Sequence, residues 1–512
     1  MTLLATVVSA SHQVAGTRAR SAKTRLIADC LRKVDTPEIE IAVLYLSGEI
    51  RQGRIGIGPS TLVSCMSSAA GAPGLQLMEV DRLLDELATI RGSGSSALRA
   101  TALRTLFGRA TADEQQFLLK LLIGELRQGA LAGVMVEAIA AVTGVPLPDV
   151  RRAAMYEANL GAIARVGVES GAAGLQRFQL DVMSPIAPML AQTASDVDEA
   201  IDTLTGDIAF EWKMDGARIQ VHKLGDDVRI FTRNLNDVTA AIPEIAAAAR
   251  VLRADQLILD GEAIAFASTG RPHVFQTTMR RFGRKLDVAR MQQELPMRAY
   301  YFDCLRRDEV SLAERPALER FVALAEVVPR EQLIPRLVTR SAEAATAFYD
   351  EALANGHEGL MAKSLDSPYE AGNRGASWVK IKRAHTLDLV ILAAEWGHGR
   401  RHGKLSNLHL GAFDKDTGQH VMLGKTFKGL TDAMLEWQTR EFLARETHRD
   451  SGTVYVRPEI VAEIAFSDLQ VSPRYPGGLA LRLARVKRYR ADKRAEDADT
   501  MESVRKIAAA QG

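Results

Sequence analysis

Hydrophobic residues recur at helical spacing through the first third of the chain. Leu26, Ile27, Cys30, Leu31 and Val34 form one stripe, and Leu83, Leu84, Leu87 and Ile90 form another. A further helix is predicted to start at Thr111, where Thr111 and Glu114 make a T-x-x-E capping box. Phe117, Leu118, Leu121, Leu122 and Leu126 continue its apolar face, and Gly129 is the predicted stop. Between such stripes lie short basic, Gly-rich loops, for example Gly48-Glu49-Ile50-Arg51-Gln52-Gly53-Arg54. A loop of this kind suits phosphate contact through backbone N–H groups and arginines, and equally suits a solvated connector between helices.

The pattern changes after 181–193 (DVMSPIAPMLAQT), where two prolines favour extended backbone. From about 205 to 384 short alternating strands mix with helices such as 342–355, and from 385 onward come further strands (387–394, 454–466), turn residues and a basic segment. The expected fold class is therefore multidomain α+β. Residues 1–180 form a helical domain, 181–195 a linker, 196–384 a mixed α/β core and 385–512 a small β-barrel. There is no internal repeat.

A length of 512 residues agrees with roughly three domains. A hydrophobic share of 47% with 25% charge is ordinary globular composition. No apolar run is long enough to span a bilayer, and the first residues lack the charged start of a secretory signal. Cys30, Cys65 and Cys304 are scattered, which suits a reducing cytosol and is too few for a four-cysteine zinc site. These features predict a cytoplasmic protein with no membrane partner. A net charge of +2 does not by itself argue for nucleic acid, so such a case must rest on local patches.

Candidate chemistry is densest around Ile208-Ala209-Phe210-Glu211-Trp212-Lys213-Met214-Asp215-Gly216-Ala217-Arg218. Asp-Gly between two strand-like runs predicts a tight hairpin. That hairpin would set Glu211 and Lys213 on one face with Arg218 across from Lys213. A lysine is a poor nucleophile while protonated, and a neighbouring guanidinium with partial desolvation would activate it. An ordinary surface hairpin with a Lys–Glu pair explains the same segment. Other segments add to the picture. The strands 257–264 and 357–363 each carry acids beside glycine, at Asp260, Glu262 and Glu358, and a Mg²⁺ ion held between phosphates needs only one or two carboxylates. Trp378-Val379-Lys380-Ile381-Lys382 alternates strictly, so its two lysines share a face about 7 Å apart, suited to phosphate oxygens or to protection of a sheet edge. Tyr300-Tyr301-Phe302-Asp303 places aromatics on a strand, where a ring at the sheet mouth could stack on a purine.

These residues resemble the covalent nucleotidyltransferases, whose signature is K-x-D-G followed by arginine. The acid two residues before the lysine is the form seen in ATP-dependent DNA ligases. The further matches keep the family's order: Thr232-Arg233-Asn234, Asp260-Gly261-Glu262, Phe302-Asp303, Glu358-Gly359-Leu360-Met361 and Trp378 to Lys382. Leu121 to Gly129 is similar to the helical DNA-binding domain of larger ligases, Pro185 to Ala191 to their interdomain connector, and 456–493 to their C-terminal OB-fold. In that last region Leu481-Arg482-Leu483-Ala484-Arg485 replaces the usual L-R-F-P-R, which leaves the local backbone open.

The resemblance implies a monomeric enzyme that uses ATP and Mg²⁺ or Mn²⁺ to seal nicked double-stranded DNA in three steps. It implies Lys213 as nucleophile, Glu211 on the adenine amine, Phe302 stacking on the base, and Glu262 at the ribose or metal. Glu358 would help hold the metal, Arg218 and Arg233 would contact ribose or the nick's phosphate, and Lys380 and Lys382 would grip the α-phosphate. Arg485, Asp492 and Lys493, in the basic segment 481–494, would face the outer phosphates when the OB-fold closes about a hinge at 382–388. An RNA ligase or an mRNA-capping guanylyltransferase fits less well, given the long helical region and the adenine-type Glu211. An NAD-dependent ligase lacks support because the zinc module is missing, and a decayed nick-binding protein would have lost Lys213 or the acids.

Overall fold

The computed structural model of the chain describes residues 1–511 except 54, 127, 129–131, 268–269, 274, 283–286, 373, 383–384 and 399–400. Arg54 of the basic loop, Gly129 as helix stop and residues 383–384 of the expected hinge thus lie outside the described residues.

Helices from Leu4–Gly16 to Leu160–Leu175 occupy the first third of the chain and share one apolar core. Ile27, Cys30, Leu31 and Val34 are buried in it, as are Leu84 and Leu87, with Leu26, Leu83 and Ile90 packed at its margin. The Thr111–Glu114 capping box starts the helix Ala112–Leu122. That helix ends well short of Gly129, because Gly124 turns left-handed at φ 72° and the Glu125 N–H closes on the Lys120 carbonyl at 2.8 Å. Leu126 lies beyond it. The loop after Gly48 is tied down: Arg51 pairs with Asp81 at 2.7 Å and with Asp85, and Gln52 donates to both acids. The Arg51 side chain expected to be available for phosphate is already engaged.

The central region contains two sheets. The first runs β1 (Gln192–Ala194), β10 (Trp378–Lys382), β9 (Gly359–Ser364), β2 (Ile208–Lys213), β8 (Arg336–Val338). The second runs β4 (Asp227–Thr232), β3 (Ala217–Leu224), β5 (Gln256–Ala265), β6 (Met297–Arg307), β7 (Val310–Ser311). Both contribute to one core, with Ile258, Ile264 and Phe302 from the second sheet and Trp378 from the first.

The predicted Asp-Gly hairpin does not form. β2 pairs with β9 and β8, whereas β3 pairs with β4 and β5, so Lys213 and Arg218 lie on different sheets. A type I′ turn needs glycine at positive φ, which Gly216 does not adopt. Gly216 serves close approach instead, since a Cβ there would meet the Ala263 carbonyl oxygen at 2.5 Å. The apolar pattern gives the reason. Ile208 and Phe210 bury in the core beneath the first sheet, Ile219 and Val221 in that of the second, and a two-stranded ribbon could bury neither pair.

The proline-bearing segment is extended and stitched to this region. Met183 N–H donates to His222 Nδ1 (3.0 Å), Ile186 N–H to Gln220 Oε1 (3.0 Å), and Arg218 Nη1 to the Met189 carbonyl (2.6 Å). β1 then runs parallel to β10.

The C-terminal strands are antiparallel. β11 (His385–Trp396) pairs on one side with β12 (Leu405–Asp414), which pairs with β13 (Gln419–Thr426). On its other side β11 meets β15 (Thr453–Val456) and β16 (Val461–Phe466), so the stretch 454–466 is two strands rather than one. β14 (Glu446–Arg449) and β19 (Arg485–Tyr489) complete the sheet, and β17 (Asp468–Val471) pairs with β18 (Leu479–Arg482). The bulged β11 lets the sheet curl around Leu389, Leu410, Phe442 and Ile464, an OB-type half-barrel.

Candidate active site

Sheet register builds the site. Across β2, β9 and β10, Lys213 stands beside Gly359 and Gly359 beside Lys382; one step along, Glu211, Met361 and Lys380 are neighbours. Because side chains alternate, these residues share one face, while Val379 and Ile381 are buried on the other. Gly359 takes φ 141°, and a Cβ there would run into the Ile381 carbonyl. Glu358, just before β9, is held by its N–H donating to the Lys213 carbonyl at 2.9 Å.

Glu358 Oε2 lies 2.6 Å from both Lys213 Nζ and Lys382 Nζ. Burial alone would raise the Glu358 carboxyl, but the two lysines hold it well below the ordinary range. Asp215 is raised by burial and then by the facing Glu358. Burial pushes the Glu262 carboxyl up to about 8 against the pull of Lys213 and Arg218. Lys380 is lowered by burial and then by repulsion from Lys382 and Lys213. The cluster thus brings the ammonium groups of Lys213, Lys380 and Lys382 together with the buried carboxyls of Glu358, Glu262 and Asp215.

The remaining expected residues differ in their surroundings. Arg218 is committed within the protein: Nε and Nη2 fork onto Asp260 at 3.0 and 2.6 Å, Nη2 also reaches the Tyr369 hydroxyl, and Nη1 holds the connector. Arg233 is exposed just after β4, and no ion pair joins it to the cluster among the described residues. Arg485 is exposed on β19, whereas Arg482 approaches the cluster, with Nη1 3.4 Å from Asp215 and its guanidinium over the Phe275 ring at 4.5 Å. The substituted Leu483-Ala484 pair has an answer too: Leu483 is left-handed at φ 57° with its side chain exposed, and Ala484 is buried. Asp492 pairs with Arg490, and Lys493 and Arg490 both pair with Asp388.

Phe302 is buried, edge-on to Trp378 at 6.1 Å. Glu211 is ion-paired to Arg336 and Lys363. Sequence reasoning missed Lys363, Arg336, Asp215 and Arg482. Strand alternation from Met361 could have found Lys363, but Arg336 sits on a three-residue strand with no pattern of its own.

Family comparisons fall in the same order along the chain. Residues 71–140 match the DNA ligase N terminus, 188–382 the ATP dependent DNA ligase domain and 401–493 the ATP dependent DNA ligase C terminal region. A probable DNA ligase of Anaeromyxobacter dehalogenans (strain 2CP-C) is 54% identical over 507 residues, covering 98% of this chain and 99% of the relative. A probable DNA ligase of Mycolicibacterium gilvum is 52% identical, covering 99% of each. The solved structure called Pmar-Lig_PreS3 shares the fold with a TM-score of 0.62 at 18% identity, covering 94% of this chain and 99% of that one. With its site residues on adjoining strands and relatives matched end to end, the chain belongs to the ATP-dependent DNA ligases.

Proposed function

We propose that this enzyme seals nicks in duplex DNA through an adenylate carried on Lys213. The supporting observation is the shared face of β2, β9 and β10, where Lys213, Lys380 and Lys382 converge beside Glu358. In the first step the Lys213 Nζ lone pair attacks the α-phosphorus of ATP. A P–N bond forms, the bond to pyrophosphate breaks, and the amine proton passes to solvent. An oxygen of the 5′-phosphate then attacks that phosphorus, breaking the P–N bond and returning a proton to Lys213. Finally the 3′-hydroxyl oxygen attacks the 5′-phosphorus and gives its proton to solvent, so that a phosphodiester bond forms as the bond to AMP breaks. Such transfers depend on positioning and charge neutralisation more than on acid–base relays, which suits lysines on one rigid sheet face.

The donor set fits a divalent cation. Burial first, and then the nearby Glu358, raise Asp215 and Glu262, and a Mg²⁺ or Mn²⁺ ion would favour their charged forms. Among the described residues no group of three or more His, Cys, Asp or Glu stands ready to hold an ion alone. A Mg²⁺ ion ordinarily takes one or two carboxylates and completes its shell with phosphate oxygens and water. Glu358 and Glu262 would hold it, and when bound it supplies neutralisation of phosphoryl charge. Glu211 and Phe302 would receive the adenine, and Lys380 and Lys382 the α-phosphate. We read Arg218 and Arg233 as facing ribose or DNA only through what their present contacts leave free.

Residues 1–180 and 385–512 are read as the two DNA-holding regions of a monomeric cytoplasmic enzyme, joined to the 196–384 core through 181–195. No helix among the described residues is long and apolar enough to cross a membrane. Incubation with α-labelled ATP and Mg²⁺ tests the central claim. Label should reach the wild type and neither Lys213→Ala nor Lys213→Arg, since a guanidinium keeps its proton. An acid-labile, alkali-stable adduct on Lys213→Ala would move the nucleophile elsewhere.

A further inference from the structure

The Glu211 carboxylate is engaged by two cations from different strands. Its side chain is 1% exposed, with Arg336 reaching it from β8 and Lys363 from β9. Arg336 Nε and Nη2 both donate to Oε1, at 2.8 and 2.5 Å, which occupies the two lone pairs of that oxygen. Arg336 is itself fixed, because Nη2 also donates to the Phe302 carbonyl at 3.2 Å and its guanidinium lies 3.4 Å over the Phe321 ring. On the other side Lys363 Nζ stands 2.5 Å from Oε2, an ion pair outside hydrogen-bonding geometry. The rings of Phe302 and Trp378 lie 4.4 and 4.2 Å from the same ammonium. Lys363 is thereby boxed between a carboxylate and two aromatic faces, while Oε2 keeps capacity to accept from an incoming donor.

As pure structure this is an expensive arrangement, because desolvating buried ions offsets much of their attraction. A purpose follows from what the carboxylate is left to present. We propose that Arg336 and Lys363 are positioning residues for nucleobase selection, clamping Glu211 so that Oε2 accepts from an amino-purine and rejects an oxo-purine. The inference rests on the reading above that the base binds at Glu211 and Phe302. Adenine carries an N–H donor on its six-position, where guanine carries a carbonyl oxygen. A carboxylate only accepts, so guanine would set oxygen against oxygen with both desolvated. Lys363 is a donor close enough to serve a carbonyl, and its pairing with Glu211 withholds it. Selectivity then belongs to the Arg336–Glu211–Lys363 group rather than to Glu211 alone.

Self-labelling of the full-length enzyme with α-labelled ATP or GTP, at saturating Mg²⁺, tests this with Lys363→Met, Arg336→Met, Arg336→Lys and Glu211→Gln. Lys363→Met and Arg336→Met should each raise the KM for ATP and lower the ATP-over-GTP preference about tenfold or more. The labelling rate at saturating ATP should stay within about threefold. Arg336→Lys should recover part of the preference, since charge returns without the fork. Arg336 is 21% exposed, so its variants keep the test open if Lys363→Met does not melt cooperatively. A lower rate and melting temperature with unchanged preference would make both cations structural and overturn the proposal. An unchanged preference in Glu211→Gln would instead overturn the base-site reading beneath it. A shift in Glu211→Gln with none in the Lys363 and Arg336 methionine variants would sink the clamp alone.

Discussion

Glu358 Oε2 lies 2.6 Å from Lys213 Nζ, and the same oxygen lies 2.6 Å from Lys382 Nζ. One carboxylate therefore holds Lys213 and Lys382 together across Gly359. In this arrangement the Lys213 amine is engaged, and the attack proposed for it would require Glu358 to let it go. On the proposed reading Glu358 would help hold a divalent cation, and that role would compete with its pairing to Lys213.

Glu358→Gln keeps the size of the side chain and removes the charge. Self-adenylation should fall roughly a hundredfold, and the Mg²⁺ concentration for half-maximal labelling should rise. Labelling across a Mg²⁺ titration reads both. An unaltered Mg²⁺ dependence would take Glu358 out of the ion site.

Gly216→Ala should be damaging although the residue carries no chemistry. The new methyl would face the Ala263 carbonyl oxygen at 2.5 Å and Ile264 Cγ1 at 2.6 Å. Overpacking of this kind costs roughly 1–3 kcal/mol, and relief by moving the crossing segment would shift Lys213 and Asp215. Thermal melting should show the loss, with labelling reduced at temperatures where the variant is still folded. Wild-type melting would mean that β5 yields more easily than its central position in the sheet suggests.

The C-terminal half-barrel presents two different faces. Arg482 is next to Asp215, while Lys493 and Arg490 gather on Asp388. If the barrel swings between ATP and DNA steps, these faces serve in turn. Asp492→Ala with Lys493→Ala should lower self-adenylation about a hundredfold and leave sealing of a pre-adenylated nick within about tenfold. Arg482→Ala should do the reverse. Equal effects of each variant on both steps would leave these residues as general binding or folding elements.

His222 gives the connector a pH dependence. Burial holds its imidazole down to about 3 while it accepts the Met183 N–H, so the folded state keeps it neutral. In the unfolded chain it takes a proton near the ordinary value of about 6.5. Its contribution is complete above that pH and is lost as pH falls toward 3, up to roughly 5 kcal/mol in all. His222→Asn retains an acceptor without the titration, so the drop in urea midpoint between pH 7.5 and pH 5 should be smaller than in the wild type. An equal drop would place the acid sensitivity elsewhere.

The sequence alone determined which candidate residues share a face, and where a helix starts, wherever local pattern suffices. Strict alternation in 378–382 set Lys380 and Lys382 on one face with Val379 and Ile381 beneath, and the Thr111–Glu114 box marked a helix start, because both depend on neighbours in the chain. The tertiary structure decided what those residues touch. Asp215-Gly216 has the local chemistry of a hairpin, yet the burial of Phe210 and Ile219 in separate cores draws β2 and β3 into different sheets. Arg218 is thereby turned onto Asp260 rather than toward Lys213. Arg482 and Arg485 are alike in sequence, and only the docking of the half-barrel on the central region sets Arg482 beside Asp215. Arg336 carries no signal on its short strand and becomes a partner of Glu211 solely because β8 lies along β2. Pairing between strands far apart in the chain depends on which apolar surfaces can be buried together, and local pattern does not encode that choice.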